Sequence, residues 1–389
     1  MKNRPSHFLT LSLPHPLTSS PSHFLTLSPS HFLPTRQKLV YFLIAALLLS
    51  LVATRLPQWF GKRGPSTDDM STSTTPAKPA VQVDVPAVHA DSAFLYVKKQ
   101  VDFGARVPGS AAHKKCAAWL VSEFKRHGMT VIEQKFKAEA YFGTLDAVNI
   151  IAQYRPELPN RILLCAHWDS RHIADHDTRD KDKPILGADD GGSGVALLLE
   201  MARLLHANPA NIGVDLICFD AEDLGKESDD EAPADSPTML QQAQDNSETW
   251  CLGSQHWASN LHKPGYRANF GILLDMVGAR GAVFPREGYS TVNAPVIQDK
   301  IWAVAAELGY GNLFTNKRGG GITDDHVFVM RGTRIPTVDI ISMPNDPPRV
   351  FGRYHHTHDD NLDIIDRDVL ASVGKVVTTV VYRSAAGAF

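Results

Sequence analysis

Five short segments of this chain end apolar runs with metal-binding or acid–base side chains. They are Ala166-His167-Trp168-Asp169-Ser170, Gly187-Ala188-Asp189-Asp190-Gly191-Gly192-Ser193-Gly194, Phe219-Asp220-Ala221-Glu222-Asp223, Leu274-Asp275-Met276-Val277-Gly278 and His356-Thr357-His358-Asp359-Asp360. Imidazole nitrogen and carboxylate oxygen are donors to zinc, and a catalytic zinc keeps one position open for water or substrate. Asp190, Asp223 and His356 supply three such ligands from three separate segments. Glu222 precedes one of them, so it can stand beside a metal without binding it, the placement a general acid/base needs. Asp275 ends a buried run, where a carboxylate is costly unless paired, ligated or protonated. His167 is read either as a further ligand or as a histidine that orients one. His326 and the run His355-His356-Thr357-His358 raise the histidine density, and most of these are expected behind the ligands or at the surface.

The elements that must position these groups are legible as apolar runs of strand length at 147–154, 162–166, 214–219, 270–274 and 336–341. Runs that are apolar almost throughout, rather than alternating, predict strands covered on both faces, as in an α/β sheet flanked by helices. Sites in open α/β sheets form beyond the carboxyl ends of the strands, where His167, Glu222, Asp223 and Asp275 lie. Residues 111–127 carry Cys116, Leu120 and Phe124 at helical spacing and stop at Gly128; a second helix is predicted over 195–207, directly after the glycine-rich turn. Cys116, Cys165, Cys218 and Cys251 form no C-x-x-C, and Cys165 and Cys218 read as small buried hydrophobes.

The first 90 residues have a different character. Residues 5–12 recur word for word at 21–28, and the Pro/Ser/Thr-rich stretch 1–38 has no pattern that closes a core, so it reads as a disordered tail or a misassigned translation start. The apolar run 39–53, between basic residues, has the length of a signal h-region or a short uncleaved anchor rather than of a full span. On this reading residues 39–60 direct export to the periplasm or another extracytoplasmic space, with membrane attachment through 39–53, and 61–90 form a linker. The catalytic domain is expected over 91–389, about 300 residues and enough for one large core. The stretch 226–249, acidic and rich in Pro, Gln and Ser, reads as a surface insertion or as a loop rimming the site. Net charge is −3, and without a basic stripe nothing points to nucleic acid.

The order His-x-Asp-Ser, Gly-Ala-x-Asp, Asp-x-Glu-Asp, Leu-Asp and His-Thr resembles the zinc aminopeptidase superfamily, which also contains the animal-type glutaminyl-peptide cyclotransferases. Thr323-Asp324-Asp325-His326-Val327-Phe328, Ile272 to Gly278, Trp250-Cys251-Leu252-Gly253-Ser254 and His356 to Asn361 are more similar to the cyclotransferases than to the peptidases. The resemblance implies a single α/β domain with a central mixed, largely parallel sheet and helices on both faces. It implies that Asp190, Asp223 and His356 bind one Zn2+, that Glu222 moves the proton, and that Asp275 and Asp324 form a hydrogen-bonded pair beside the reacting amide. Two positions depart from the family pattern: Asp223 replaces the usual Glu, and His355 stands where the vertebrate enzymes carry a tryptophan. Trp250 and Phe351 are therefore the aromatics expected to close the pocket.

The implied reaction converts the N-terminal glutamine of a peptide or protein to pyroglutamate with loss of ammonia, and a monomer is expected. A dinuclear zinc aminopeptidase, with His167 and Asp275 completing a second metal site bridged by Asp190, is the alternative, since every ligand type for it is present. An inactive binding domain of the same fold is the third reading, against which stands the retention of Glu222 and of each ligand.

Overall fold

The run Arg161–His167 is buried at every residue, and so are Gly213–Phe219, Gly271–Asp275 and Thr337–Ile341. Such strands hold their backbone polar groups in a ladder while both side-chain faces meet helices. The computed structural model describes residues 83–226, 248–344 and 349–389. The repeated tail, the apolar run 39–53, most of the linker and residues 227–247 of the acidic stretch lie outside the described residues.

In chain order the elements are α1 (Ala90–Asp102), α2 (Ala111–Arg126), β1 (Thr130–Ala140), β2 (Gly143–Tyr154), β3 (Arg161–His167), α3 (Gly192–Ala207), β4 (Gly213–Phe219), α4 (Leu252–Ser259), β5 (Gly271–Asp275), β6 (Phe284–Arg286), α5 (Gly288–Asn293), α6 (Pro295–Glu307), β7 (Phe314–Arg318), α7 (Asp325–Thr333), β8 (Thr337–Ile341) and α8 (Arg367–Ala385). The main sheet has the order β1-β2-β4-β3-β5-β8. Its β1–β2 and β2–β4 pairs are antiparallel and the rest parallel, so the sheet is mixed with a parallel half, in agreement with the expected fold. Strand β1 escaped the reading of apolar runs because its exposed positions are Thr130, Glu133, Lys135, Lys137 and Glu139, the pattern of a sheet edge with one wet face.

Alternate residues of the central strands enter opposite cores. Ile162, Leu164 and Ala166 of β3 join Leu216, Ile272 and Ile340 in the larger cluster, with residues of α1, α3 and α8. Leu163 and Cys165 join Ile217, Phe219 and Leu273 in the other, with Trp257 of α4 and Val329 of α7. Helix α3 is buried along nearly its whole length, which explains its all-round apolar sequence. Its first turn approaches the strand ends closely: a Cβ at Gly194 would lie 2.1 Å from the Leu274 carbonyl oxygen, so only glycine fits there.

Packing extends upstream of Asp91. Val83 and Val85 lie against the larger core, and the His89 N–H donates to buried Glu200 Oε1 at 2.8 Å. The compact unit runs from Lys78 to Phe389. The four cysteines are buried and unpaired with one another. No helix among the described residues is long and apolar enough to cross a membrane.

Candidate active site

Strands β4, β3 and β5 are neighbours in the sheet and run parallel, so their carboxyl ends open on one edge. His167 ends β3, Glu222 and Asp223 follow β4, and Asp275 ends β5. Asp190 arrives from the turn before α3, Asp324 caps the amino end of α7, and His356 comes from the loop preceding α8. Residues as far apart in sequence as His167 and His356, 189 positions, thus share one cleft, as is general for crevices beyond parallel strands.

The donor atoms of Asp190, Asp223 and His356 all lie within 4.8 Å of one another, and all three residues are buried. His356 Nε2 is 3.3 Å from Asp223 Oδ1 and 3.8 Å from Asp190 Oδ2. Asp223 Oδ2 is buried and accepts no hydrogen bond, which leaves a lone pair directed to a cation. One imidazole and two carboxylates with an unused acceptor are a donor set that fits zinc. A second group, His167, Asp190 and Asp275, meets the same 4.8 Å criterion. There His167 Nε2 is 2.9 Å from Asp190 Oδ1 and 3.2 Å from Asp275 Oδ1, so Asp190 belongs to both groups through its two oxygens.

Carboxylates behind the cleft hold its loops. Asp169 accepts from the N–H groups of Glu222 and Asp223, at 3.1 Å each, and Asp360 accepts from those of Asp189 and Asp190 at 2.8 and 3.2 Å. Arg171 donates to Asp223 Oδ1 at 3.0 Å and grips Asp175 with its other nitrogens. Ala221, Met276 and His356 have φ of 57°, 48° and 57°, left-handed backbone at residues that are not glycine. They immediately flank or constitute the chemical groups, where such conformations concentrate when packing enforces them.

Glu222 stands beside this metal set rather than in it. Its Oε1 accepts from Cys251 Sγ at 3.1 Å, and the Glu222, Cys251 and Asp324 donor atoms lie within 4.8 Å of one another. Burial raises the Glu222 pKa well above the usual carboxylate range; His167 opposes this, and Asp324 and Asp223 add to it. Asp275 is pushed up to about 7 by burial, against its hydrogen bond to His167 and with repulsion from Asp324. Asp324 is raised by burial against the pull of His326. Burial alone would depress His167, yet hydrogen bonds to Asp169, Asp190 and Asp275 carry it well above the ordinary histidine value. The cleft therefore raises the proton affinity of several neighbouring groups, the kind of perturbation found where acid–base chemistry is done. Asp324 is near enough to Asp275 to raise its pKa by repulsion, but the hydrogen bond expected between the two is not formed: Asp275 Oδ1 bonds to His167, Asp324 Oδ1 accepts from the Asp325 N–H at 2.5 Å, and Asp324 Oδ2 accepts nothing from donors of the protein.

Trp250 stacks on His356 with centroids 6.1 Å apart, and Phe351 packs on His355 at 4.6 Å. His355 itself stacks on His356 at 3.6 Å. Met276, Ile341 and Met343 form a small buried apolar cluster against which Ile322, Phe351 and Tyr354 pack. Sequence reasoning assigned no role to Asp169, Asp360, Arg171 or Cys251. The first two sit inside the quoted His-Trp-Asp-Ser and His-Thr-His-Asp-Asp segments, and a buried acid so near a ligand was the signal available.

With this geometry, the model of peptidase family M28 matches residues 149–381. The chain is 26% identical to the glutaminyl-peptide cyclotransferase of Bos taurus over 300 residues, 69% of this chain and 75% of the relative. Among solved structures, the glutaminyl cyclase of Bacteroides thetaiotaomicron bound to N-acetylhistamine is 47% identical with a TM-score of 0.71, covering 77% of this chain and 99% of that one. A leucine aminopeptidase precursor from the same organism is 46% identical with a TM-score of 0.71 over the same shares.

Proposed function

We infer that this chain, which belongs to peptidase family M28, is a zinc-dependent glutaminyl-peptide cyclotransferase converting N-terminal glutamine to pyroglutamate with release of ammonia. Its relatives include glutaminyl cyclases and a leucine aminopeptidase precursor, and its activity is of glutaminyl cyclase or aminopeptidase type. The observation that carries the cyclase reading is Asp324. It lies beside Glu222 and raises the pKa of Asp275, yet it belongs to neither of the two groups of donors around Asp190. One oxygen of this acid caps α7, but two metal ions and one base would leave its buried Oδ2, which accepts nothing from the protein, without a task. A reaction that must grip an α-amine and a departing amide nitrogen gives it one.

Asp190, Asp223 and His356 would hold one zinc ion. When bound, zinc acts as a Lewis acid that polarises the carbonyl of the substrate side chain. Glu222 takes a proton from the α-amine as the α-nitrogen bonds to Cδ, the carbonyl carbon of the side-chain amide, and delivers it to the amide nitrogen as the Cδ–N bond breaks and ammonia leaves. Asp275 and Asp324 orient the two nitrogens through hydrogen bonds. Because attack is intramolecular, holding the reactive rotamer removes much of the entropic barrier, and no activated water is consumed.

A specific observation favours a second reading. The His167, Asp190 and Asp275 donors are close enough to hold another ion, which would make the centre dinuclear and the enzyme an aminopeptidase. Incubation of the protein with a Gln-peptide and a Leu-peptide separates the two. Ammonia from the first without free amino acid from either is expected; free leucine without ammonia would overturn the cyclase reading. The physiological substrates proposed are peptides and proteins with N-terminal glutamine, met after export by way of the apolar run 39–53, by the enzyme acting as a monomer.

A further inference from the structure

Among the four buried cysteines Cys251 stands apart. Cys116 and Cys218 pack in the larger apolar core and Cys165 in the other, whereas Cys251 belongs to no apolar cluster among the described residues. Its backbone has a φ of 56°, in the left-handed region that glycine adopts most easily. A side chain kept at such a position needs a reason of its own, and the thiol supplies one. Cys251 Sγ donates to Glu222 Oε1 at 3.1 Å. Among the described residues this is the one hydrogen bond that the Glu222 carboxyl accepts, and His167 Nδ1 stands off at 4.0 Å from Oε2.

The main chain completes a clasp. The Cys251 N–H donates to the Glu222 carbonyl at 2.9 Å and the Leu252 N–H to that of Ala221 at 3.0 Å. The Cys251 carbonyl in turn accepts from the Gln255 N–H at 3.0 Å and the Ser254 hydroxyl at 3.1 Å, which ties the residue into α4. The thiol thus reaches Glu222 from a backbone anchored to the same turn, and its direction is fixed. Burial, and after it the neighbouring Glu222, pushes the thiol well above the usual thiol range, so it stays protonated and donates.

We propose that Cys251 is a positioning residue for the proton carrier: its thiol occupies Oε1 of Glu222 and holds the carboxyl in the rotamer that leaves Oε2 to the substrate nitrogens. Oε2 takes the α-amine proton and returns it to the departing ammonia, while the thiol keeps its own proton throughout. A carboxyl free to turn about its last bonds would meet the substrate in many orientations, few of them productive. The proposal rests on Glu222 as proton carrier, an assignment that the cyclase and aminopeptidase readings share.

Cys251→Ala and Cys251→Ser remove the same sulfur and differ by one hydroxyl donor. Kinetics of the full chain on the Gln-peptide, or on the Leu-peptide should only that be turned over, use this difference. Cys251→Ala should lower kcat about tenfold at unchanged KM and zinc content, the effect of one hydrogen bond. Cys251→Ser should recover most of that loss. In a Glu222→Gln background, Cys251→Ala should change the residual kcat by less than about twofold, because the group it positions no longer carries a proton. An equal loss in the Ala and Ser variants, a loss in KM or zinc, or the same loss in both backgrounds would make Cys251 a packing residue and overturn the proposal. The infrared S–H stretch needs no change at position 251: Glu222→Ala should move one S–H band to higher frequency as its acceptor is lost, and an unmoved spectrum also overturns the proposal. Full activity in Glu222→Gln, or turnover of neither peptide, would instead remove the proton-carrier assignment beneath it.

Discussion

Glu222 has the buried position, the raised pKa and the nearby acids of a proton carrier, and it lies one residue from Asp223, whose oxygens face the metal set. Glu222→Gln keeps the size of the side chain and the hydrogen bond its main chain makes to Asp169, so zinc should stay bound while kcat falls by about 10²–10⁴-fold. Metal analysis beside kinetics checks this, and loss of zinc would mean that Glu222 and Asp223 have exchanged roles. Asp275 bears on the choice between mechanisms. With one ion held by Asp190, Asp223 and His356, Asp275→Asn should leave the zinc count unchanged and cut cyclisation, because the side chain at the end of β5 orients substrate and bonds to His167. With two ions the same change removes a ligand, and the count would fall from two towards one. The candidate ligands stood out in the sequence because they are acids and an imidazole grouped in short segments with other donors, some directly after apolar runs where a carboxylate needs pairing or function to be tolerated. Asp169 and Asp360 were not, because which main-chain N–H groups a carboxylate accepts from is decided by how distant loops meet.

The element that presents Asp324 depends on a residue far from the reacting atoms. Glu287, fully buried, accepts from the N–H groups of Tyr289 and Ser290 at the start of α5, from the Ser290 hydroxyl, and from the Ile322 N–H in the loop leading to α7. It also lies 3.2 Å from His326 Nε2, two positions beyond Asp324. Burial would raise its pKa, but His326 and the Ser290 donors outweigh burial and bring it down to about 2 from an ordinary 4.5. A carboxyl whose folded pKa is depressed contributes stability that is present above the unfolded value and is lost as pH falls from about 4.5 towards about 2. That contribution is on the order of 3 kcal/mol above pH 5. Glu287→Gln should therefore lower stability at neutral pH and flatten this acid limb; denaturant unfolding of both proteins at pH 7 and pH 3 measures it, and an unchanged acid limb would contradict the assignment. Strands β3, β4, β5 and β8 were legible from continuous apolar runs. Of the helices only α2 and α3 were read; α1, α6 and α8 were not, and α4, α5 and α7 are too short, at 8, 6 and 9 residues, to show a helical period.

At the scale of the whole molecule, the sheet reverses direction between β2 and β4 while the parallel half carries the chemistry. The parallel half, and the 147–154 portion of β2 beside it, could be read from the sequence because strands buried on both faces leave an unbroken apolar signature, whereas β1, wet on one face, mixes Lys and Glu into its sequence and hides. The same reasoning places the start of the fold too late. Val83 and Val85 belong to a short Val-Gln-Val-Asp-Val alternation, too brief to stand out within a Pro-rich stretch, yet they pack against the larger core, and the N–H of His89 is bonded to Glu200 inside α3. A chain beginning at Lys78 should fold and turn over substrate like the full chain, since it keeps every described contact. One beginning at Asp91 loses both valines and leaves Glu200, 1% exposed, with Arg203 as its remaining partner. Loss of partly buried apolar area and of one hydrogen bond to a charged group should cost on the order of 2–4 kcal/mol. Thermal unfolding of the two shortened proteins decides between the boundaries: equal Tm values would show that residues 83–90 pack on the domain without supporting it.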